Sequence, residues 1–301
     1  MLPDEHPGKV RGERCGSLDS APQVLASDVG EALAETDLDV RSLYLDLLRR
    51  NLTRYGMHEQ VPSEWPLRRR LLLKAVNTMT SRRGGVRDHQ RTRELGLDWP
   101  AEAETMIGMQ RLSSLQHCVE TVLTEDIPGD LIECGVWRGG ACILMRAVLA
   151  AYGDTTRSVW LADSFQGVPR SDPLNYTADK GIRADFAAGI LGVSQAEVTA
   201  NFERYGLLDE QVRFLPGWFK DTLVGAPIDR IAVLRLDGDL YESTIQALDA
   251  LYPRLSLGGF CIVDDYLAVK ACEQAVTDYR ARYGITAEIV DIDGTGVLWR
   301  K

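Results

Sequence analysis

Several features are scarce in this 301-residue chain, and each scarcity excludes a class of protein. No apolar run approaches the roughly 18–20 residues that a membrane-spanning helix needs. The opening stretch MLPDEHPGKVRGERCGS lacks the apolar centre of a secretory signal, so a cytoplasmic protein with no membrane partner is expected. Cationic charge is outnumbered: 34 Lys and Arg face 44 Asp and Glu, and the net charge is −10. The basic residues are scattered, with small clusters at Arg68–Arg70 and Arg82–Arg83, which argues against nucleic acid as the partner. Six cysteines (Cys15, Cys118, Cys134, Cys142, Cys261, Cys272) contain no CxxC pair. They read as reduced, mostly buried thiols, not as a disulfide framework or a zinc site. The chain has no internal repeat, no G-x-G-x-x-G and no phosphate-binding P-loop.

Three regions follow from texture. Residues 1–30, rich in Gly, Pro and acids, predict a loose arm. Residues 31–125 predict a helical cap or lid region. Within it, VRSLYLDLLRRNLTRYG carries Leu43, Leu47, Leu48 and Leu52 at helical spacing, and TMIGMQRLSSLQHCVETVLTED is helical up to the stop signal Pro128-Gly129. Residues 126–301 alternate short apolar runs with helical segments. The runs are DLIECGV, RSVWLADS, QVRFLPG, RIAVLRLDGD, GGFCIVDD, AEIVDID and GVLWRK. That rhythm predicts a doubly wound α/β fold whose strands are buried on both faces. DGTG between the last two runs predicts a hairpin, hence an antiparallel final strand.

In such a sheet ligands bind beyond the carboxyl ends of the strands. The first run ends in ECGVWRGGACIL, where Glu133, Gly135 and Gly139 precede a helix. G-x-x-x-G-G fits a nucleoside site better than a pyrophosphate cradle, although glycines are common in such turns for structural reasons. Asp163 ends the second run and is placed to accept ribose hydroxyls, or else is a turn cap. Trp218 and Phe219, after the third, offer flat surfaces for a purine, or simply core. The fourth and fifth runs end in Asp237-Gly238-Asp239 and Asp264-Asp265. If these strands are neighbours, their tips lie about 5 Å apart. Asp237, Asp264 and Asp265 could then hold one Mg2+ or another divalent cation. The competing reading makes Asp239 and Asp264 helix caps. Asp237 and Asp239 are two apart, so continued strand geometry would turn both side chains to one side.

Together these segments resemble the S-adenosylmethionine (SAM)-dependent sugar O-methyltransferases of the macrocin O-methyltransferase family, which act on glycosylated natural products. The carriers are LYLDLL, TMIGMQRLSSLQHCVE, IECGVWRGGA, ADSFQGVP, GWFKDTL, RLDGDLYEST and GGFCIVDDY. The resemblance implies a SAM-type Rossmann fold, a doubly wound, mostly parallel seven-stranded sheet with its last strand antiparallel, plus an N-terminal helical extension. It implies a homodimer or homotetramer whose N-terminal helices help cover the site. It gives the metal to Asp237, Asp264 and Asp265, and the general-base role to Asp239 beside Asp237. Met106, Val136, Arg138, Ser164 and Asp237 are expected to join Glu133, Gly135, Gly139, Asp163, Trp218 and Phe219 around SAM. Tyr44, Tyr55 and Met57 are candidates for touching the acceptor, a glycosylated small molecule. Two other readings stay open on the residues alone: an NAD-dependent oxidoreductase, and a non-catalytic SAM- or nucleotide-binding protein.

Overall fold

The computed structural model describes residues 26–57, 59–84, 89–182 and 188–301. Ser42–Lys301 form one compact unit. Residues 1–25 of the expected arm, with Cys15, lie outside the described residues. The helices are α1 (Ala26–Thr53), α2 (Leu67–Gly84), α3 (His89–Glu94), α4 (Met109–Thr124), α5 (Gly140–Ala151), α6 (Ala188–Leu191), α7 (Gln195–Arg204), α8 (Phe219–Thr222), α9 (Tyr241–Leu251) and α10 (Lys270–Tyr283). The strands are β1 (Asp130–Cys134), β2 (Val159–Asp163), β3 (Val212–Pro216), β4 (Ile231–Leu236), β5 (Leu255–Val263), β6 (Val290–Asp291) and β7 (Val297–Arg300).

All seven apolar runs become strands of one sheet, ordered β3-β2-β1-β4-β5-β7-β6. The first five are parallel, and β7 runs antiparallel to both β5 and β6. The unbroken apolar character of the runs has a packing cause. Successive side chains alternate between two cores. Leu131, Leu161 and Val233 enter one, with α4 and α5. Ile132, Ala162 and Leu234 enter the other, with α9 and α10. Helix α5 is buried nearly all round, which suits its composition, GACILMRAVLAA. The hairpin turn at Asp293–Gly296 is stabilised by Asp291 and Asp293, whose carboxylates accept from the backbone N–H groups that follow.

One expectation changes. Leu48 and Leu52 are buried in the first core together with Leu45, but Leu43 and Leu47 are 62% and 63% exposed. The helix therefore presents two apolar stripes, of which one faces the core.

The strand tips are stitched beyond the last ladder pair. Gly135 N–H donates to the Ala162 carbonyl at 2.8 Å, Asp237 N–H to Cys134 at 2.8 Å and Asp264 N–H to Leu236 at 2.9 Å. Gly135 is obligatory there. Its φ is +90°, and a Cβ would lie 1.9 Å from the Asp237 carbonyl oxygen. Gly135→Ala is expected to destabilise by more than about 2 kcal/mol, whereas Gly225→Ala, with open space around it and no positive φ, should stay within about 0.5 kcal/mol. Urea unfolding of both variants checks this; equal losses would contradict the close approach.

Candidate active site

Beyond the carboxyl ends of β1–β4 lies a cavity of about 400 Å3. Of the residues predicted from sequence, Met106, Gly135, Asp163, Ser164, Trp218, Phe219, Asp237 and Asp239 line it. Glu133, Val136, Arg138 and Gly139 stand behind the wall. Glu133 is buried, with one oxygen on Arg235 and the other accepting from Cys142 Sγ at 2.8 Å. Burial pushes the Glu133 carboxyl up to about 7, against the pull of Arg235. A Cβ on Gly139 would meet Val198 Cγ1 at 2.8 Å and the Phe202 ring, so that glycine serves helix packing on α7.

Asp163 ties two turns together. Its Oδ2 accepts from Val136 N–H and its Oδ1 from Phe165 N–H, both at 2.7 Å. Burial raises its pKa, and these hydrogen bonds oppose the rise. Carboxylate oxygens carry further lone pairs, so the same group can still accept ribose hydroxyls from the cavity side. Ser164 Oγ is engaged within its own loop, donating to the Gly167 carbonyl at 2.9 Å.

Strands β4 and β5 are neighbours, with Leu236 paired to Val263. Their tips bring Asp237, Asp264 and Asp265 together, one ligand oxygen from each lying within 4.8 Å of the others. Asp264 is clamped: one oxygen accepts from Arg235 and the other from Arg111. Asp237 Oδ2 accepts from Arg235 at 2.9 Å. Asp265 Oδ2 is buried with no hydrogen-bond partner among the described residues. Arg111 also pairs with Asp293 at 2.9 Å. In this layer the guanidiniums of Arg111 and Arg235 face Glu133, Asp237, Asp264, Asp265 and Asp293, an excess of negative charge. The donor set is all oxygen, which suits a hard divalent cation, and the orphaned Asp265 oxygen gives that cation a place.

Burial, and after it the neighbouring carboxylates, raises the pKa values of Asp237, Asp239 and Asp265. Asp237 is pushed up to about 6 by burial and then by Asp264, with Arg235 opposing. Asp239 is pushed up to about 7 by burial, then by Asp237 and Asp264. Asp265 is raised well above the usual carboxylate range by burial and by Asp239, Asp237 and Asp264.

The helix-cap alternative does not hold. The first N–H groups of α9, on Tyr241 and Glu242, donate to the buried carboxylate of Asp179 at 2.7 and 3.0 Å. Helix α10 has no side-chain cap. Asp239 is a wall residue instead, with a left-handed φ of +57°. Strand geometry therefore ends at Leu236, and Asp237 and Asp239 do not share a strand face.

None of Tyr44, Tyr55 and Met57 lines the cavity. Tyr44 feels the charge of Arg146, whose partner Asp209 lies just before β3, at the amino ends of the strands. Tyr55 lies under Arg50 at 5.4 Å, and Met57 Sδ is 3.9 Å from Arg54 Nη1. Conversely Arg111, Arg235, Asp179 and Trp137 were not expected at the site. Arg235 carried one signal, a lone charge inside an apolar run; Asp179 carried none.

The family model for macrocin-O-methyltransferase (TylF) matches residues 41–301. The chain is 55% identical over 262 residues to 8-demethyl-8-(2,3-dimethoxy-alpha-L-rhamnosyl)-tetracenomycin-C 4'-O-methyltransferase of Streptomyces olivaceus, covering 87% of this chain and 94% of that one. It is 55% identical over 214 residues to mycinamicin III 3''-O-methyltransferase of Micromonospora griseorubida, covering 70% and 84%. The solved structure of the O-methyltransferase NovP superimposes with a TM-score of 0.76 at 47% identity, covering 87% of this chain and 99% of that one. With the parallel sheet, the cavity at its carboxyl edge and these matches in hand, the chain belongs to the macrocin O-methyltransferase (TylF) family.

Proposed function

We propose that this O-methyltransferase moves the methyl group of SAM to a sugar hydroxyl of a glycosylated natural product, with Mg2+ or another divalent cation held by Asp237, Asp264 and Asp265. The observation that carries the reading is the triad itself, with its unpartnered Asp265 oxygen, beside a wall that presents Asp239. The relative from Streptomyces olivaceus bears a rhamnosyl group in its substrate's name, which supports a sugar acceptor. A nicotinamide-dependent oxidoreductase or a passive nucleotide binder has no use for a carboxylate triad, and family membership speaks against both.

When bound, SAM supplies an already activated methyl, and the cation supplies positive charge that lowers the pKa of a hydroxyl brought against it. The residues of the chain do the rest. Asp163 accepts from the ribose, and Trp218 and Phe219 flank the purine. Asp239 takes the hydroxyl proton on a carboxylate oxygen; a pKa near working pH suits a general base. The wall restricts water around the reacting oxygen and holds it near the methyl. Chelation with EDTA should abolish methyl transfer and spare binding of S-adenosylhomocysteine. Asp239→Asn should cut kcat by roughly 10²–10⁴ without weakening Mg2+ binding, while Asp237→Asn should weaken Mg2+ and be partly rescued by excess. Full-rate turnover by the chelated enzyme, or near-normal kcat in Asp239→Asn, would remove the respective role.

The metal-free protein should also show a characteristic pH dependence. Asp237 and Asp239 have folded pKa values raised above their ordinary value of 3.8. Between about pH 4 and 7 the folded state therefore binds more protons than the unfolded state, and stability falls as pH rises through that window. A cation that neutralises the cluster should restore it. The rise in Tm on adding Mg2+ is thus expected to be larger at about pH 8 than at about pH 5. A pH-independent rise would contradict the assignment.

A homodimer or homotetramer in the cytoplasm completes the reading. Leu43 and Leu47, exposed one turn apart on α1, support a subunit contact. Light scattering of the full chain should give at least a dimer, and Leu47→Glu should weaken it; a wild-type monomer at micromolar concentration would overturn it.

A further inference from the structure

Trp137 lines the cavity, yet its backbone adopts φ +47°, a region that bulky residues seldom occupy, so its surroundings must hold it there. Two contacts do so directly. Its Nε1–H donates to the Ile190 carbonyl at 3.0 Å, and the Arg138 guanidinium lies over the ring, 4.2 Å from its centroid. Arg138 is itself buried, and its Nη1 donates to the Ala103 carbonyl at 2.8 Å. Next to it stands Trp65, whose ring centroid is 6.0 Å from the Arg138 guanidinium and 3.8 Å from that of Arg69. The four side chains form a ladder of alternating cations and indoles, each rung favourable through the ring quadrupole.

The ladder has a built foundation. Trp65, Leu72, Leu73, Trp99, Ala101 and Ile190 make a small apolar cluster separate from both main cores. The Asn77 amide joins α2 to the Trp99 backbone, its Nδ2 donating to the Trp99 carbonyl at 2.9 Å and its Oδ1 accepting from the Trp99 N–H at 2.7 Å. The Glu59 carboxylate accepts from the N–H groups of Ala101 and Ala103 at 3.1 and 2.8 Å and pairs with buried Arg93 at 3.0 Å. The same short segment that Glu59 fixes therefore supplies the carbonyl that holds Arg138.

We propose that Trp65 and Arg138 are positioning residues that set the Trp137 indole against the cofactor cavity, so that the segment before the Rossmann core helps to determine affinity for SAM. This rests on the reading of the cavity as the SAM site. Calorimetry with S-adenosylhomocysteine on the full chain tests it, together with the unfolding midpoint of the ligand-free protein. Trp65→Ala should weaken binding by about 3- to 30-fold with little change in midpoint. Trp65→Phe, which keeps an aromatic face, should recover most of the loss, and Arg138→Lys, which keeps the charge but not the planar stack, should fall between them. If Trp65→Ala does not fold, Trp65→Phe and Arg138→Lys carry the test, in the same order of affinity. Wild-type affinity in Trp65→Ala or Arg138→Lys overturns the proposal, as does a loss that tracks the unfolding midpoint and is not recovered by Phe. A wild-type chain that binds no S-adenosylhomocysteine overturns the cavity reading and this proposal with it, and is told apart because the unmutated protein already fails.

Discussion

The site depends on one buried cation. Arg235 is 1% exposed in the middle of the sheet, where a guanidinium without partners would cost several kcal/mol. It is kept charged by contacts to Glu133 on β1, to Asp237 just past β4 and to Asp264 just past β5. Three neighbouring strand tips are thereby tied to one planar fork, whose geometry fixes where each carboxylate points. Removing one partner of such a buried set typically costs about 3–5 kcal/mol, so the arrangement is far more constrained than a surface salt bridge.

Arg235 does not balance the charge around it. Arg111 adds a second guanidinium from α4, reaching both Asp264 and the hairpin residue Asp293, and so locks a helix, one strand tip and a turn together. Even so, burial first, and then neighbouring carboxylates, keep the pKa values of Asp237, Asp239 and Asp265 raised. Buried arginines orient these acids and yet leave one acid oxygen without a partner, an arrangement that suits the divalent cation proposed for the triad. Asp264 is clamped by both guanidiniums, whereas Asp265 Oδ2 has no hydrogen-bond partner among the described residues.

Much of this was legible in the sequence because burial on both faces leaves an unbroken apolar run, and each of the seven runs became a strand. The convergence of Asp237, Asp264 and Asp265 followed from the same rule, since acids closing two adjacent buried strands must meet. What the sequence does not show depends on long-range contact. The cap of α9 comes from Asp179, about sixty positions away in the chain, so local pattern suggested Asp239 instead. The left-handed turn at Asp239 is open to many aspartates and has no signature. Leu43 and Leu47 share helical spacing with Leu48, and spacing alone cannot say which stripe meets the core.

The cavity wall thus has two kinds of support. On the carboxylate side it is electrostatic and internal to the sheet: Arg235 and Arg111 place the acids. On the Trp137 side it is steric and aromatic, and it comes from residues 59–103, before β1 begins. Electrostatic placement suits the reacting end, where small displacements of charge change a pKa. Aromatic placement suits a binding wall, where shape matters more than charge. The Gly135 turn joins the two, since its N–H is bound to β2 while its Cα presses against the Asp237 carbonyl. Glycine is needed at this meeting point because φ is +90° and a Cβ would overlap the Asp237 carbonyl oxygen.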